Sequence, residues 1–429
     1  MATSTNPYTV LNLRKGASEE EIKQAYFEMV KKWDPERHTE RFMVIQQAYE
    51  KLRDPQKRAK EDLFTYNYVR GEFNFTAAER GEEPTTDDLM KRLTAAQAQV
   101  EQGGEAANGA RGEAVTLLLT LSFRHFRRKQ WREAIDDLVH ALQMDPTNQR
   151  GKNNLNLAYM RLGWSYATNN LIKEAIELWE LSLQMNPDNL PIIHNLAIAT
   201  ESDGDRDRSE RYWGETLRRW KLMLDEEPEN EYIKNLIIEI HKHFGGRRLD
   251  TRHEGEAAIE EYKEVLKINP DDFEAQMKIA ETLMEEKRFG EAVAELRKMV
   301  QRQPTNVQVL NLFSWALLNS GEIDAAFTNW QRCLKIDPKN YSITESIVKA
   351  RFDLGRKCRD SGQFTPALVH FKALLKLFPK NAEVHRELAK TYLGKGDRAS
   401  AYRHLQLVIK LDPRDREAKR LLSELKMGR

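Results

Sequence analysis

The chain has 429 residues, of which 31% are charged, 40% hydrophobic and 9% aromatic, about three times the ~150 residues of a typical domain. Lys and Arg total 68 against 67 Asp and Glu, a net charge of +1, so there is no global basic field for nucleic acid or a membrane surface. Apolar residues are too frequent and too periodic for a disordered chain, and 14 Pro with 21 Gly are too few for a fibrous one. The two cysteines, Cys333 and Cys358, exclude a disulfide scaffold and an all-cysteine zinc site, and each reads as filler of a small core position. Met1 to Leu13 has no basic stretch followed by an apolar one, and no run nears ~18 apolar residues. A cytoplasmic protein without a membrane span is expected.

Residues 6–66 form a first unit. "NPYTVLNL" is followed by Ser18 and Glu21, spaced as a capping box, and by Ile22, Ala25, Tyr26 and Met29 at helical spacing. A polar loop from Asp34 to Glu40 leads to a third helix with Phe42, Ile45, Ala48, Tyr49 and Leu52 on one face. The phrases "YTVLNL", "ASEEEIKQAYFEMVKKW" and "AYEKLRDPQKRAKED" resemble the J-domain of Hsp40 co-chaperones. The resemblance implies a three-helix module that engages Hsp70 through a His-Pro-Asp loop and a basic second helix. The loop departs from the family: it reads Trp33-Asp34-Pro35-Glu36. Glu36 keeps a carboxylate, but Asp34 replaces a donor by an acceptor and reverses the local charge. Normal stimulation of Hsp70 is therefore expected to be lost or severely weakened. Lys23, Lys31 and Lys32 persist, either to dock an acidic surface or as a solvated face.

Residues 67–114 read as a connector. "GEFNFTAAERGEEPTTDD" is polar and acidic, and "LMKRLTAAQAQVEQ" reads as a short helix, free as part of a tether or docked, through Leu89, Met90, Leu93 and Val100, on the first unit or in the groove of the repeats that follow. "GGEAANGARGEA" has no apolar face and reads as a flexible linker.

From residue 115 to 413 the chain repeats. Eight prolines (Pro146, Pro187, Pro228, Pro270, Pro304, Pro338, Pro379 and Pro413) close similar phrases at intervals of 41, 41, 42, 34, 34, 41 and 34. Seven extra residues are about two helical turns. Ala134, Ala175, Ala258, Ala292, Ala326, Ala367 and Ala401 recur before the prolines. Four residues after each stands a bulky partner: Leu138, Trp179, Tyr262, Leu296, Trp330, Phe371 and Leu405. Small-opposite-large is the arrangement two close antiparallel helices need. The 34-residue period and these positions resemble the tetratricopeptide repeat. The expected fold is all-α: the three-helix module, then an α-solenoid of about eight helical hairpins, then a capping helix over 414–429 with Leu421, Leu422 and Leu425 inward. A long loop is expected at Gly245–Thr251, with irregular geometry around it.

The resemblance implies that the first helix of each repeat lines a concave groove. Phe123, Met160, Trp164, His194, Asn311, Trp315, Arg356, Arg386 and Lys390 fall there. The groove is aromatic and Met-rich at first and basic in its last two repeats, which suits a partner polypeptide or client peptide with an acidic segment; equally, the aromatics could pack on neighbouring helices. The family's carboxylate-clamp pattern is not reproduced. No phosphate loop or HExxH occurs, and His241 and His243 at i and i+2 are a poor metal pair. No enzyme, metal or cofactor is expected. The leading function is a non-catalytic adaptor related to co-chaperones. The alternatives are a J-domain co-chaperone that tolerates the altered loop, and a helical-repeat RNA binder, which the neutral charge disfavours.

Overall fold

A short polar residue starts nearly every first helix of the repeats. Two residues after each closing proline stands Asn or Asp, and its side chain accepts a backbone N–H at the helix start: Asn148 from Gly151, Asn189 from Ile192, Asn230 from Ile233, Asp272 from Ala275, Asn306 from Val309, Asn340 from Ile343, Asn381 from Val384 and Asp415 from Ala418. Proline ends one helix and the Asn or Asp starts the next. Between the helices of a pair the chain turns through one left-handed residue: Gly204, Gly321, Gly362 and Gly396, but also Lys129, Asn170 and Lys287.

The computed structural model describes residues 6–34, 36–73, 84–252 and 254–427. The fold is all-α. The chain divides into two compact units, Met1–Gly246 and Arg247–Arg429.

The first unit opens with α1 (Pro7–Val10), α2 (Glu19–Lys32), α3 (Thr39–Arg53) and α4 (Pro55–Leu63). The expected third helix is divided into α3 and α4, because Asp54 caps a new helix whose first residue is Pro55. Ser18 and Glu21 form the capping box. Tyr8, Leu11, Ile22, Ala25, Ile45, Ala48 and Leu52 make the module's core. Next come α5 (Thr86–Gln102) and α6 (Ala106–Arg127), then α7 (Trp131–Met144), α8 (Gln149–Thr168), α9 (Ile172–Met185), α10 (Leu190–Ser202), α11 (Arg206–Glu226) and α12 (Glu231–Arg252), in whose length the division falls.

Two expectations are corrected here. Most of the stretch read as a flexible linker, from Ala106 on, belongs to α6. Ala110 and Ala114 are buried on one side of it, Ala114 in one cluster with Leu89, Leu93 and Ala96 of α5. The loop expected at Gly245–Thr251 is helical, since α12 runs to Arg252. Neither Gly245 nor Gly246 takes a positive φ, and Arg247, Arg248 and Leu249 are good helix formers.

The second unit contains α13 (Gly255–Ile268), the pairs α14 (Phe273–Glu285) with α15 (Phe289–Arg302), α16 (Val307–Ser320) with α17 (Ile323–Ile336), α18 (Tyr341–Asp360) with α19 (Phe364–Leu377), α20 (Ala382–Lys395) with α21 (Arg398–Leu411), and the terminal α22 (Arg416–Lys426). Leu421, Leu422 and Leu425 pack on Ala389, Leu405 and Val408.

The two repeat lengths have a simple cause. The 34-residue repeats use helices of 13 or 14 residues, whereas α8 and α18 have 20, α11 has 21 and α12 has 22. The seven added residues are two extra turns on one helix. The crossing itself is unchanged. Ala134, Ala175, Ala292, Ala326, Ala367 and Ala401 are fully buried, as are Leu138, Trp179, Leu296, Trp330, Phe371 and Leu405.

Candidate protein-interaction site on the inner face of the repeats

The module is fastened to the first unit's repeats by its own last helix. Asp62 at the end of α4 is fully buried. Its Oδ2 accepts from the Tyr8 hydroxyl at 2.9 Å and from the Tyr232 hydroxyl of α12 at 2.6 Å, and Arg58 stands 3.6 Å away. Burial, then the Asp62 charge, pushes both tyrosine hydroxyls well above their ordinary value. Lys15 Nζ donates to the carbonyls of Asp62 and Thr65 and lies 3.5 Å from His194 Nδ1. Burial lowers the Lys15 amine to about 7, against a smaller opposing pull from Asp62.

Beyond α4, residues 64–73 run as a strap without helix across α8 and α10. Asn195 holds its backbone at both polar groups: Asn67 N–H donates to Asn195 Oδ1 at 2.6 Å, and Asn195 Nδ2 donates to the Asn67 carbonyl at 2.9 Å. The Asn67 amide also donates to His194 Nδ1 at 2.7 Å. Accepting there suits a neutral imidazole, and burial followed by the nearby Lys15 charge holds His194 well below 6.5. Tyr66 lies against Trp179, Tyr68 meets Trp164 edge-on at 5.0 Å, and Phe73 packs on Phe123 and Phe126. At Gly71 an added Cβ would stand 3.0 Å from Leu157 Cδ1, so the strap passes close there.

The first four groove residues are thus brought together, but not as an open surface. Phe123, Trp164 and His194 are covered by the chain's own strap. Met160 is buried, with its Sδ near the Asn189 amide and its carbonyl accepting from Trp179. Of the four residues read as partner contacts, Phe123, Trp164 and His194 thus lie under an extended aromatic segment of the same chain, and Met160 is buried. The connector helix α5 does not occupy the inner face; it pairs with α6.

In the second unit Asn311 accepts from Trp330 Nε1 at 2.8 Å, and Trp315 packs edge-on against Trp330 and donates toward Ser346 at 3.3 Å. The basic residues are engaged as well. Arg356 pairs with Glu383 at 2.7 Å, Arg386 with Asp415 at 2.8 Å and Lys390 with Glu417 at 2.8 Å. Each cation reaches a carboxylate on, or at the start of, the next inner helix, so the basic end is a ladder of internal braces. The cations read as contacts for an acidic segment are thus already paired within the chain.

On the module, Lys23, Lys31, Lys32, Asp34 and Glu36 are all exposed. Asp34 Oδ1 accepts from the Glu36 N–H at 2.9 Å, a local turn bond. Pro35 lies outside the described residues. Trp33 is flanked by His38 and the Arg41 guanidinium.

Sequence reasoning missed Lys15, Asp62, Asn67, Tyr68, Arg161 and Asn195. The available signal was the alternation Phe64, Tyr66, Tyr68, an extended aromatic pattern that a boundary drawn at residue 66 cut in two.

Helical pairs stacked behind a small capped helical module define a helical-repeat interaction protein joined to a co-chaperone-type domain. The comparisons agree with both parts. A DnaJ domain model matches residues 6–62, and tetratricopeptide repeat models match 157–189, 252–312 and 359–425. The chain therefore carries an N-terminal DnaJ domain followed by tetratricopeptide repeats. Over 66 residues it is 50% identical to "Chaperone protein DnaJ" of Thermotoga petrophila, covering 14% of this chain and 18% of that protein. Over 62 residues it is 50% identical to the protein of the same name from Bacillus cereus, covering 13% and 17%. The chain thus spans under a fifth of the length of these relatives. Among solved structures, a crystal structure of MamA protein aligns at 21% identity and TM-score 0.32, covering 41% of this chain and 92% of that one. YrrB, described as a TPR protein with an unusual peptide-binding site, aligns at 18% identity and TM-score 0.31, covering 48% and 97%. No helix among the described residues is long and apolar enough to cross a membrane.

Proposed function

We propose that the chain is a non-catalytic adaptor related to co-chaperones, in which the repeats hold a DnaJ-type module in a fixed pose and bind a partner polypeptide. The observation that carries this reading is the fastening of the module by Asp62, Tyr232 and the strap. It makes the module part of the repeat scaffold rather than a domain on a loose tether. Lys23, Lys31 and Lys32 of α2 are exposed and available to Hsp70, while the Asp34–Glu36 loop lacks the donor that stimulation requires. The reading is thus of weak Hsp70 contact without normal stimulation. RNA binding loses its support, because Arg356, Arg386 and Lys390 are each paired with a carboxylate, leaving little charge to displace counterions.

An Hsp70 ATPase assay with the full chain tests this. The natural chain is expected to give little stimulation, and the double change Asp34→His with Glu36→Asp to restore a marked increase. Strong stimulation by the natural chain, lost on Glu36→Ala, would show a functional co-chaperone instead. Partner capture is tested by affinity purification with Arg356→Ala and Trp315→Ala chains, each checked for retained helicity.

A further inference from the structure

The strap covers a charge arrangement that it does not complete. Tyr68 is sandwiched between two guanidiniums: Arg14 lies 3.7 Å from the ring centre on one side and Arg161 3.7 Å from it on the other. Arg14 comes from the DnaJ module and Arg161 from α8. Neither guanidinium has a carboxylate partner among the described residues. Arg161 is only 7% exposed, and its Nε and Nη1 have no hydrogen-bond partner. A buried guanidinium with unmet donors costs free energy that a π face only partly offsets. Beside Tyr68 is a cavity of about 480 Å³ lined by Arg14, Lys15, Trp164 and Thr168, among others, with no Asp or Glu in its lining. The strap's single acidic residue, Glu72, is exposed beyond Gly71.

We propose that this face is a docking site for an extended acidic segment of a partner protein, for which residues 64–73 are the intramolecular stand-in. The partner's backbone takes the place of Asn67 on Asn195. A partner carboxylate takes the place of the Tyr68 ring between Arg14 and Arg161, where two forked donors match one acceptor group. Because Arg14 belongs to the module and Arg161 to the repeats, the seat spans both, and an occupant that lifts the strap bears on both. The inference rests on the reading of the repeats as polypeptide-binding, but on the repeats of the first unit, whereas Arg356 and Trp315 belong to the second.

The test compares Tyr68→Glu with Tyr68→Gln in the full chain. Glu is expected to melt at the higher temperature, and Arg161→Gln to abolish the difference. Equal melting, or a lower value for Glu, overturns the proposal. In a second measurement, labelled peptides with the sequence of residues 64–73, natural or carrying Glu for Tyr68, are titrated onto the natural chain. The Glu peptide is expected to bind about tenfold or more tightly than the natural one, with the gain lost in Arg161→Gln. This arm decides the matter if both Tyr68 variants fail to fold, and absence of the preference overturns the proposal. Added inorganic phosphate that raises the melting temperature as much as the Tyr68→Glu change, and leaves peptide binding unaltered, would mark a small-anion site and also overturn it. Loss of partner capture by the Arg356 and Trp315 variants leaves these readouts untouched, so the two readings fail separately.

Discussion

At Gly163 the room for a side chain is already taken. A Cβ there would stand 2.6 Å from Trp179 Nε1, and one at Gly355 would stand 2.7 Å from the Phe371 ring. Both partners follow sixteen residues later, and the same offset links Ala389 with Leu405 in one core cluster. In these three pairs Gly faces the Trp or Phe ring and Ala faces the smaller Leu. Gly163→Ala and Gly355→Ala should each lower stability by ~1–3 kcal/mol through overpacking, despite the helix preference for Ala, as measured by chemical denaturation. Such pairs were legible because the repeat period displays them several times. The histidines were not, since nothing local marks a buried imidazole. His404 stands against His385, with 2.9 Å between their Nδ1 atoms, and stacks on Tyr392. Burial, then the neighbouring His385 and Arg403, lowers it to about 4. Its folded pKa is below the ordinary 6.5, so the unfolded chain binds the extra proton between these values. The contribution is intact above pH 6.5 and is lost as pH falls toward 4. Thermal melts from pH 7.5 downward should show this loss, and His404→Asn should reduce it.

Among the elements, α4 and the strap bear most of the novelty. The Tyr232 hydroxyl is one of two that donate to the buried Asp62 carboxylate. Tyr232→Phe should cost ~1.5–3 kcal/mol, the range for a hydrogen bond to a charged group. The same change should speed proteolysis within residues 64–73, whereas Tyr341→Phe, at an exposed ring, should leave the digestion pattern unchanged. The helices themselves were readable from periodicity and proline spacing. The strap was not, because an extended segment of ten residues has no period long enough to stand out, and its partners outside α4 lie about 50 residues away or more. The ion ladder was missed for a related reason. Arg356, Arg386 and Lys390 read as free cations along the sequence, since their carboxylates sit about 27 to 29 residues downstream, one repeat on.

For the first unit as a whole, the module and the repeats are one folding body. A chain beginning at residue 84 would lose the cover over Trp164 and Phe123 and leave Tyr232 without its carboxylate. Such a truncation should melt earlier than the full chain and self-associate, as exposed aromatic patches do, with light scattering as the measurement. The fold class was legible from the repeat length alone. The joining of its two modules was not, because it depends on Asp62, Lys15 and Asn195 meeting in space, and each is unremarkable in its own stretch of sequence.

The helix α4 ends at Leu63 and the strap begins at Phe64, so there is no slack between the lever and the latch. Lifting the strap must tug the DnaJ module with it. The inner face of the first repeats can therefore transmit its occupancy mechanically, as a change in where the module stands rather than in how it is built. A donor–acceptor dye pair on α2 and α8 would report that displacement directly.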